Sequence, residues 1–195
     1  DKAGVFVDGR YRVQVRAQVA DVYTPVDWPE VSLGTWIAEH VPSGGVVGFD
    51  PWLHTVAQMR ELRSSARDVT LRATTNLVDR IWEDQPPAPV TAAFVQPVEL
   101  AGATHGDKIT RLSKTLGTAT CAVLTLPDSI CWLLNIRGDD LPRTPFVHGF
   151  AILHASGEVT FFVNPDKLIN IRDHLGPHVR IEPVEAFLQV LAALD

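Results

Sequence analysis

The sequence predicts an α/β protein built as two units, and three features predict it. Apolar residues recur alternately at strand and helix spacing along nearly the whole chain. That alternation breaks at Glu83–Pro89 (EDQPPAP), where three prolines in four residues can neither continue a helix nor supply the donors of a central strand. Sliding the chain by 156 residues then lays VFVDGRYRVQVRAQV (Val5–Val19) over FFVNPDKLINIRDHL (Phe161–Leu175). Val7 meets Val163, Asp8 meets Asn164, Val13 meets Ile169 and Arg16 meets Arg172. Each copy reads as a strand, a turn opened by a carboxylate or amide, and a helix of the same apolar phase.

The elements follow in order. AGVFV (Ala3–Val7) is a short strand stopped by Asp8-Gly9, with a helix from about Arg10 and a strand at Val22–Thr24. Leu33, Trp36, Ile37 and Val41 fall on one helix face, and Gly44-Gly45 separates that helix from the strand VVGF. Val56, Met59, Leu62 and Ala66 mark a helix, VTLRA a strand, and NLVDRIW a short helix capped by Asn76. Beyond the prolines, Ile109, Leu112 and Leu116 define a helix and CAVLTL a buried strand. Asp128 is expected to cap the helix SICWLLNI, with Gly138 ending it. FVHGFAILH and EVTFFV should pair as a hairpin across Ala155-Ser156-Gly157. DKLINIRDHL reads as a helix, HVRIEPV as a strand and EAFLQVLAAL as a final helix. The expected domains are residues 1–83, a proline-rich linker and lead-in over 84–106, and residues 107–195.

Composition narrows the function. A 195-residue chain with net charge −6 and no basic run argues against a nucleic-acid or anionic-membrane surface. No apolar stretch approaches the roughly 18–20 residues that span a bilayer. Cys121 and Cys131 lie in apolar contexts without CxxC spacing, as small buried hydrophobes of a reducing, cytoplasmic compartment. No basic segment followed by an apolar one opens the chain. The sole methionine, Met59, is internal, so the chain is expected to be a processed product or a piece of a longer protein. The repeat agrees: about fifty-five residues of structure (Lys108–Phe162) precede Val163 but only six precede Val7, so both units are expected to be truncated.

Few motifs carry chemistry. PSGGVVGFDP lacks the GK[ST] of a phosphate loop. His148 and His154 are expected in one strand facing the same way, too few ligands for zinc. Asp139-Asp140 is expected as a loop in which Arg137 ties to backbone or to Asp139. Asp8-Gly9-Arg10-Tyr11 differs, because it sets a carboxylate and a guanidinium at a strand end, where ligand contacts of α/β folds cluster. Asp8 as a plain helix cap, with Arg10 in solvent, is the competing reading.

VFVDGRYRVQVRAQ, VGFDP, NLVDRIWEDQPPAP, DKITRLSKTL and DSICWLLNIRGDDLPRTPFVHGFAIL together resemble, in order and spacing, the motifs of three-domain Xaa-Pro aminopeptidases of the creatinase/prolidase-like superfamily. The resemblance runs from Val5 to about Asp195. It implies two creatinase-N-like (ribonuclease H-like) units with mixed sheets flanked by helices, corresponding to parts of the first two domains. It further implies a third domain after Asp195 that holds two divalent metal ions, usually manganese; no metal ligand or catalytic residue of that family maps onto this chain. Substrates would be peptides with proline second, and the N-terminal domains would narrow access to the pocket and assist homodimer assembly, with no nucleic acid or membrane as partner. Arg10, in the turn that matches the family's DGRY, is expected to be largely exposed and to approach a substrate pocket, with its partner in the catalytic domain or in a second subunit. The rival reading is a stand-alone peptide- or protein-binding module on a catalytically dead fold of this kind.

Overall fold

The first two strands run parallel, and everything at the amino-terminal end is arranged around that fact. A computed structural model describes residues 3–194; Asp1, Lys2 and Asp195, which the expected domains include, lie outside them. The chain divides into two units, Asp1–Gln85 and Pro86–Asp195. In the first, β1 (Ala3–Val7), α1 (Arg12–Gln18) and β2 (Tyr23–Asp27) form a crossover in which Ala3 faces Tyr23 and Val7 faces Asp27. A tight turn cannot join parallel strands, so a helix makes the return. α2 (Leu33–His40), β3 (Val46–Phe49), α3 (Val56–Ser65), β4 (Thr70–Ala73) and α4 (Leu77–Ile81) follow, with β3 and β4 again parallel. α3 opens on a capping box: Thr55 Oγ1 accepts from Gln58 N–H at 3.1 Å, and Gln58 Oε1 accepts from Thr55 N–H at 2.8 Å. Ile37, Met59, Leu62 and Ala66 bury the facing sides of α2 and α3 against Val47, Phe49 and Leu71.

The second unit is richer. Its elements are β5 (Phe94–Val95), α5 (Val98–Ala101), α6 (His105–Ser113), β6 (Cys121–Leu124), α7 (Pro127–Leu134), β7 (Ile136–Arg137), β8 (Phe150–His154), β9 (Val159–Phe162), α8 (Arg172–Leu175), β10 (Val179–Glu182) and α9 (Phe187–Ala192). The main sheet has the order β10-β9-β8-β6, parallel between β9 and β10 and antiparallel elsewhere. Gly157, at φ +85°, turns the β8–β9 hairpin in the left-handed region that glycine enters without strain. Ile130, Leu134, Ile136, Val147, Phe161 and Leu168 are sealed in the core. A second cluster holds Ile152 and Phe162 against Phe187 of α9.

The 156-residue repeat is visible in the hydrogen bonding. Ala3 pairs with Tyr23 and Val159 with Val179, the same register under the same shift. Asp8 Oδ1 accepts from Arg10 N–H at 2.9 Å, and Asn164 Oδ1 accepts from Asp166 N–H at 3.0 Å. The carbonyls of Asp8 and Asn164 accept from Tyr11 and Lys167 at 3.0 and 3.1 Å.

Other expectations need correction. DKLINIRDHL is not one helix but a 3-10 turn, Pro165–Leu168, followed by α8. The run Ile169-Asn170-Ile171, two β-branched residues around an asparagine, does not favour continuation. α7 starts at Pro127, whose fixed φ suits the first helical position, so Asp128 lies inside it and, among the described residues, accepts from Ser129 N–H alone. Asn135, in the left-handed region, ends that helix, and Ile136–Arg137 then pairs with β5. Gly138 serves close packing instead: a Cβ there would sit 2.8 Å from Val147 Cγ2. His148 precedes β8, so it does not share a strand with His154. Within the stretch expected as linker and lead-in, Ala93 is buried in the second unit's core.

Asp139 and Asp140 diverge, as adjacent residues of an extended segment should, but Asp140 turns inward. Its Oδ2 lies 2.6 Å from Lys167 Nζ, with the two side chains 1% and 5% exposed, and accepts from His148 N–H at 2.7 Å. Arg137 takes the backbone alternative, donating to the carbonyls of Cys131 and Ile136 and not to Asp139. Removing one partner of a buried pair strands the other charge. Lys167→Met or Asp140→Leu alone is therefore expected to cost about 3–5 kcal/mol in urea unfolding, and the double variant clearly less than the sum. Single losses under about 1 kcal/mol would show that the pair does not hold the loop.

Candidate functional site

Parallel strands deliver their carboxyl ends to one edge, and at the edge of β1 and β2 the first unit gathers its charges. Asp8 follows the last residue of β1, and Asp27 is the last residue of β2, facing Val7. The backbone bonds from Arg10 and Tyr11 to Asp8 close the turn that carries Arg10 outward. The Arg10 guanidinium folds back on the Asp8 carboxylate, with Nη2 2.6 Å from Oδ2 and Nε 3.1 Å from Oδ1. This two-point grip orients a side chain that is still 80% exposed. Arg10 is thus exposed, as expected, but already engaged by the carboxylate of its own turn.

The next arginine completes the cluster. Arg12 Nη2 donates to both Glu30 oxygens at 2.6 Å, and its Nε lies 3.5 Å from Asp27 Oδ1, an ion pair without a hydrogen bond at either atom. Three carboxylates against two guanidinium groups leave the edge net negative by one. Hydrogen bonds from the Arg10 side chain and backbone hold the Asp8 carboxyl down to about 2. The Arg12 bond likewise lowers Glu30, and both arginines are raised by their carboxylate partners. Sequence reasoning found Asp8 and Arg10 but missed Arg12, Asp27 and Glu30. Only the strand register brings Asp27 to this edge, and nothing local announces it.

Beside the cluster lies a cleft of about 600 Å³, whose walls include Phe6, Trp28, Pro29, Leu33 and Leu53, with His54, Gln58 and Glu61 as polar groups. The Trp28-Pro29 bond is cis. An apolar cleft beside oriented, exposed donors suits an extended chain with a carbonyl or carboxylate to be held. The other conspicuous motifs of this unit are structural. Asp50 caps the 3-10 turn at Pro51–Leu53, Asn76 caps α4, and Asn76 Nδ2 donates to Asp50 Oδ2 at 3.0 Å.

The remaining sequence candidates are dispersed in the second unit. His154 Nε2 is 3.0 Å from Thr160 Oγ1, and His148 donates its backbone N–H to Asp140 Oδ2. Burial pushes the Cys131 thiol up, and its sulfur accepts from Val147 N–H. Among the described residues, no three of His, Cys, Asp or Glu are grouped so as to hold a metal ion.

Comparison with known proteins gives a consistent picture. Residues 84–195 and residues 1–81 each match a family described as the creatinase/prolidase N-terminal domain. Aminopeptidase P1 of Lotus japonicus is 32% identical over the whole chain, which spans 31% of that protein. A probable Xaa-Pro aminopeptidase P of Coccidioides posadasii is 35% identical, again over the whole chain and 33% of its own length. Among solved structures, X-prolyl aminopeptidase from Caenorhabditis elegans, described as a cytosolic enzyme with a di-nuclear active site, matches with a TM-score of 0.91 at 28% identity. That match covers 98% of this chain and 33% of the other. The chain spans about a third of the length of these relatives.

The Asp8–Arg10 grip has a titration signature. The Asp8 carboxyl should titrate near 2 by NMR, against 3.8 for a free aspartate, and move back toward 3.8 in Arg10→Gln. Because the folded-state value is depressed, the stabilising contribution of Asp8 is fully present above 3.8 and is lost as pH falls through about 2. A midpoint that ignores the Arg10 substitution would mean the two side chains do not pair.

Proposed function

The chain belongs to the creatinase/prolidase N-terminal domain family in both of its units, and from that premise we propose that it forms the non-catalytic N-terminal portion of an Xaa-Pro aminopeptidase. The carrying observation is the match of essentially the whole chain, at a TM-score of 0.91, to one third of an X-prolyl aminopeptidase. The enzyme would remove the first residue from peptides with proline second. Proline lacks an N–H and has a fixed φ, so such a bond needs a dedicated site. The residues described here do not fit a metal centre, and no chemical step is assigned to them. Two divalent ions, expected to be manganese, would be held by other parts of the protein. The N-terminal units would narrow access to the pocket and assist homodimer assembly, in a cytoplasmic enzyme like the relative described as cytosolic.

Arg10 is the residue through which this chain would reach substrate. Asp8 occupies Nε and Nη2 and fixes the plane of the guanidinium, which leaves Nη1 to meet a peptide carbonyl or carboxylate. Arg12, tied to Glu30, braces the same edge. Lysine could not reproduce this arrangement, because a single ammonium cannot grip Asp8 at two points and present a third donor in a fixed direction.

In the complete protein, Arg10→Ala should lower kcat/KM for an Xaa-Pro peptide by about 10–100-fold, the worth of one charged hydrogen bond. Stability should change by no more than about 0.5 kcal/mol, as for other surface substitutions. Arg10→Lys should not restore activity. An unchanged kcat/KM would remove Arg10 from the pocket. A complete protein that released no residue from such peptides would overturn the enzymatic reading and favour a binding module.

The 195-residue chain alone should hydrolyse no Xaa-Pro peptide, with or without Mn²⁺, since positioning cannot replace an activated water. Metal-dependent release of the first residue by the purified chain would refute this.

A further inference from the structure

In the second unit, α6, β6 and α7 wall a cavity of about 600 Å³ whose surface is mostly apolar, formed by Leu112, Leu116, Leu124, Trp132, Phe146 and Leu153 among others. Its polar side chains are Thr115, Asp128, Ser129 and Arg137. Arg137 is half-buried, and its Nη1 donates to the carbonyls of Ile136 at 2.7 Å and Cys131 at 3.2 Å. Its Nε and Nη2 make no hydrogen bond among the described residues, and no ion pair among them includes Arg137. Asp128 lines the same cavity without pairing to it, its Oδ1 accepting from Ser129 N–H at 2.8 Å.

A second cation lies against the same wall. Lys108 is buried, with its Nζ 4.3 Å from the centre of the Trp132 ring, and among the described residues it donates only to neutral acceptors, Trp132 O and Asn135 Oδ1. Burial, together with the charges of Arg137 and Arg111, holds its pKa below the usual lysine range. Two positive charges therefore lie near Trp132, and among the described residues no carboxylate pairs with Lys108 or Arg137; Lys108 is the buried one, while the free edge of the half-buried Arg137 stays accessible to a ligand. With Nη1 tied to backbone, the Nε–Nη2 edge remains, and that edge matches the two oxygens of a carboxylate. Asp128 on the same lining disfavours a multiply charged anion.

We propose that this cavity is a binding site for a small monocarboxylate with an aliphatic or aromatic body. The carboxylate bridges Nε and Nη2 of Arg137, and the apolar part lies against Leu112, Leu124, Trp132 and Phe146. The volume is in the range of small-ligand pockets. The site lies outside the Arg10 edge and does not depend on the peptidase reading.

Calorimetric titration with octanoate, octanol and octylamine tests it on the 195-residue chain and on the complete protein. Octanoate should bind one per chain and at least about tenfold more tightly than octanol, the worth of a charge-assisted hydrogen bond at its lower limit. Arg137→Gln should remove that preference while leaving octanol unchanged. Should Arg137→Gln not fold, Thr115→Trp on the lining serves instead, and should weaken both ligands by narrowing the cavity. Methyl shifts on octanoate binding should be confined to the neighbourhood of Leu112 and Leu124. Equal binding of octanol, no saturable binding, or retention of the octanoate preference in Arg137→Gln would overturn the proposal. Stronger binding of octylamine would assign recognition to Asp128 and overturn it too. So would binding to the chain that vanishes in the complete protein, because the protein itself would then cover the cavity.

Discussion

A parallel strand pair forces the chain to leave the sheet at one edge and return from the other, and both units solve this in the same twenty residues of register. The return begins with a side-chain oxygen, Asp8 or Asn164, accepting the N–H two residues on. That bond turns the backbone off the sheet axis without a glycine in the left-handed region. The consequence for function is geometric. The residue two places beyond the turn is thrown outward at the carboxyl edge, and the last residue of the returning strand is brought alongside it. Arg12 and Asp27 meet for this reason, although they lie fifteen positions apart in the chain.

Three cations of the second unit, Lys167, Lys108 and Arg137, are held in three different ways. Lys167 has a full counter-ion in Asp140, and the pair also fixes the loop that carries His148. Lys108 has only dipoles and a ring face, so burial acts on its proton. Arg137, half-buried, spends one nitrogen on two carbonyls and keeps an edge that bonds to none of the described residues. The first arrangement specifies structure, because loss of either partner leaves an ion stranded. The last leaves recognition capacity, since a guanidinium stays charged at any physiological pH.

Residue type and spacing reveal local structure far better than they reveal pairing. β3, the cap of α4 at Asn76 and the β8–β9 hairpin were all legible, because a strand run, a capping asparagine and a glycine turn are each written in neighbouring residues. The two-residue strands β5 and β7 were not, since a pair of residues has no period; NIR reads as the tail of a helix until Asn135 is seen to end it. The same limit applied to the sites. The carboxylate–guanidinium turn at Asp8 and Arg10 could be read directly. The union of Asp140 with Lys167 across 27 residues and of Arg12 with Glu30 across 18 depends on tertiary structure alone. A hydrophilic doublet such as Asp139-Asp140 gives no sign of which member turns inward.

The two copies of the turn separate what the scaffold requires from what it carries. Under the 156-residue shift, Asp8 corresponds to Asn164, and both make the same bond. Every other charged member of the first edge changes character: Arg10 becomes Asp166, Arg12 becomes Leu168, Asp27 becomes Pro183 and Glu30 becomes Ala186. Leu168 is sealed in a core, where Arg12 stands half-exposed between two carboxylates. Tyr11, largely exposed, corresponds to Lys167, which is buried against Asp140. The fold therefore asks only for a short acceptor side chain at the strand end. The arginine pair and its carboxylates are not needed to build a crossover of this register, because the second copy builds it without them. A cluster that one copy keeps at the edge and the other dispenses with is no requirement of the crossover itself, so a crossover of this register can carry different side chains at the same edge.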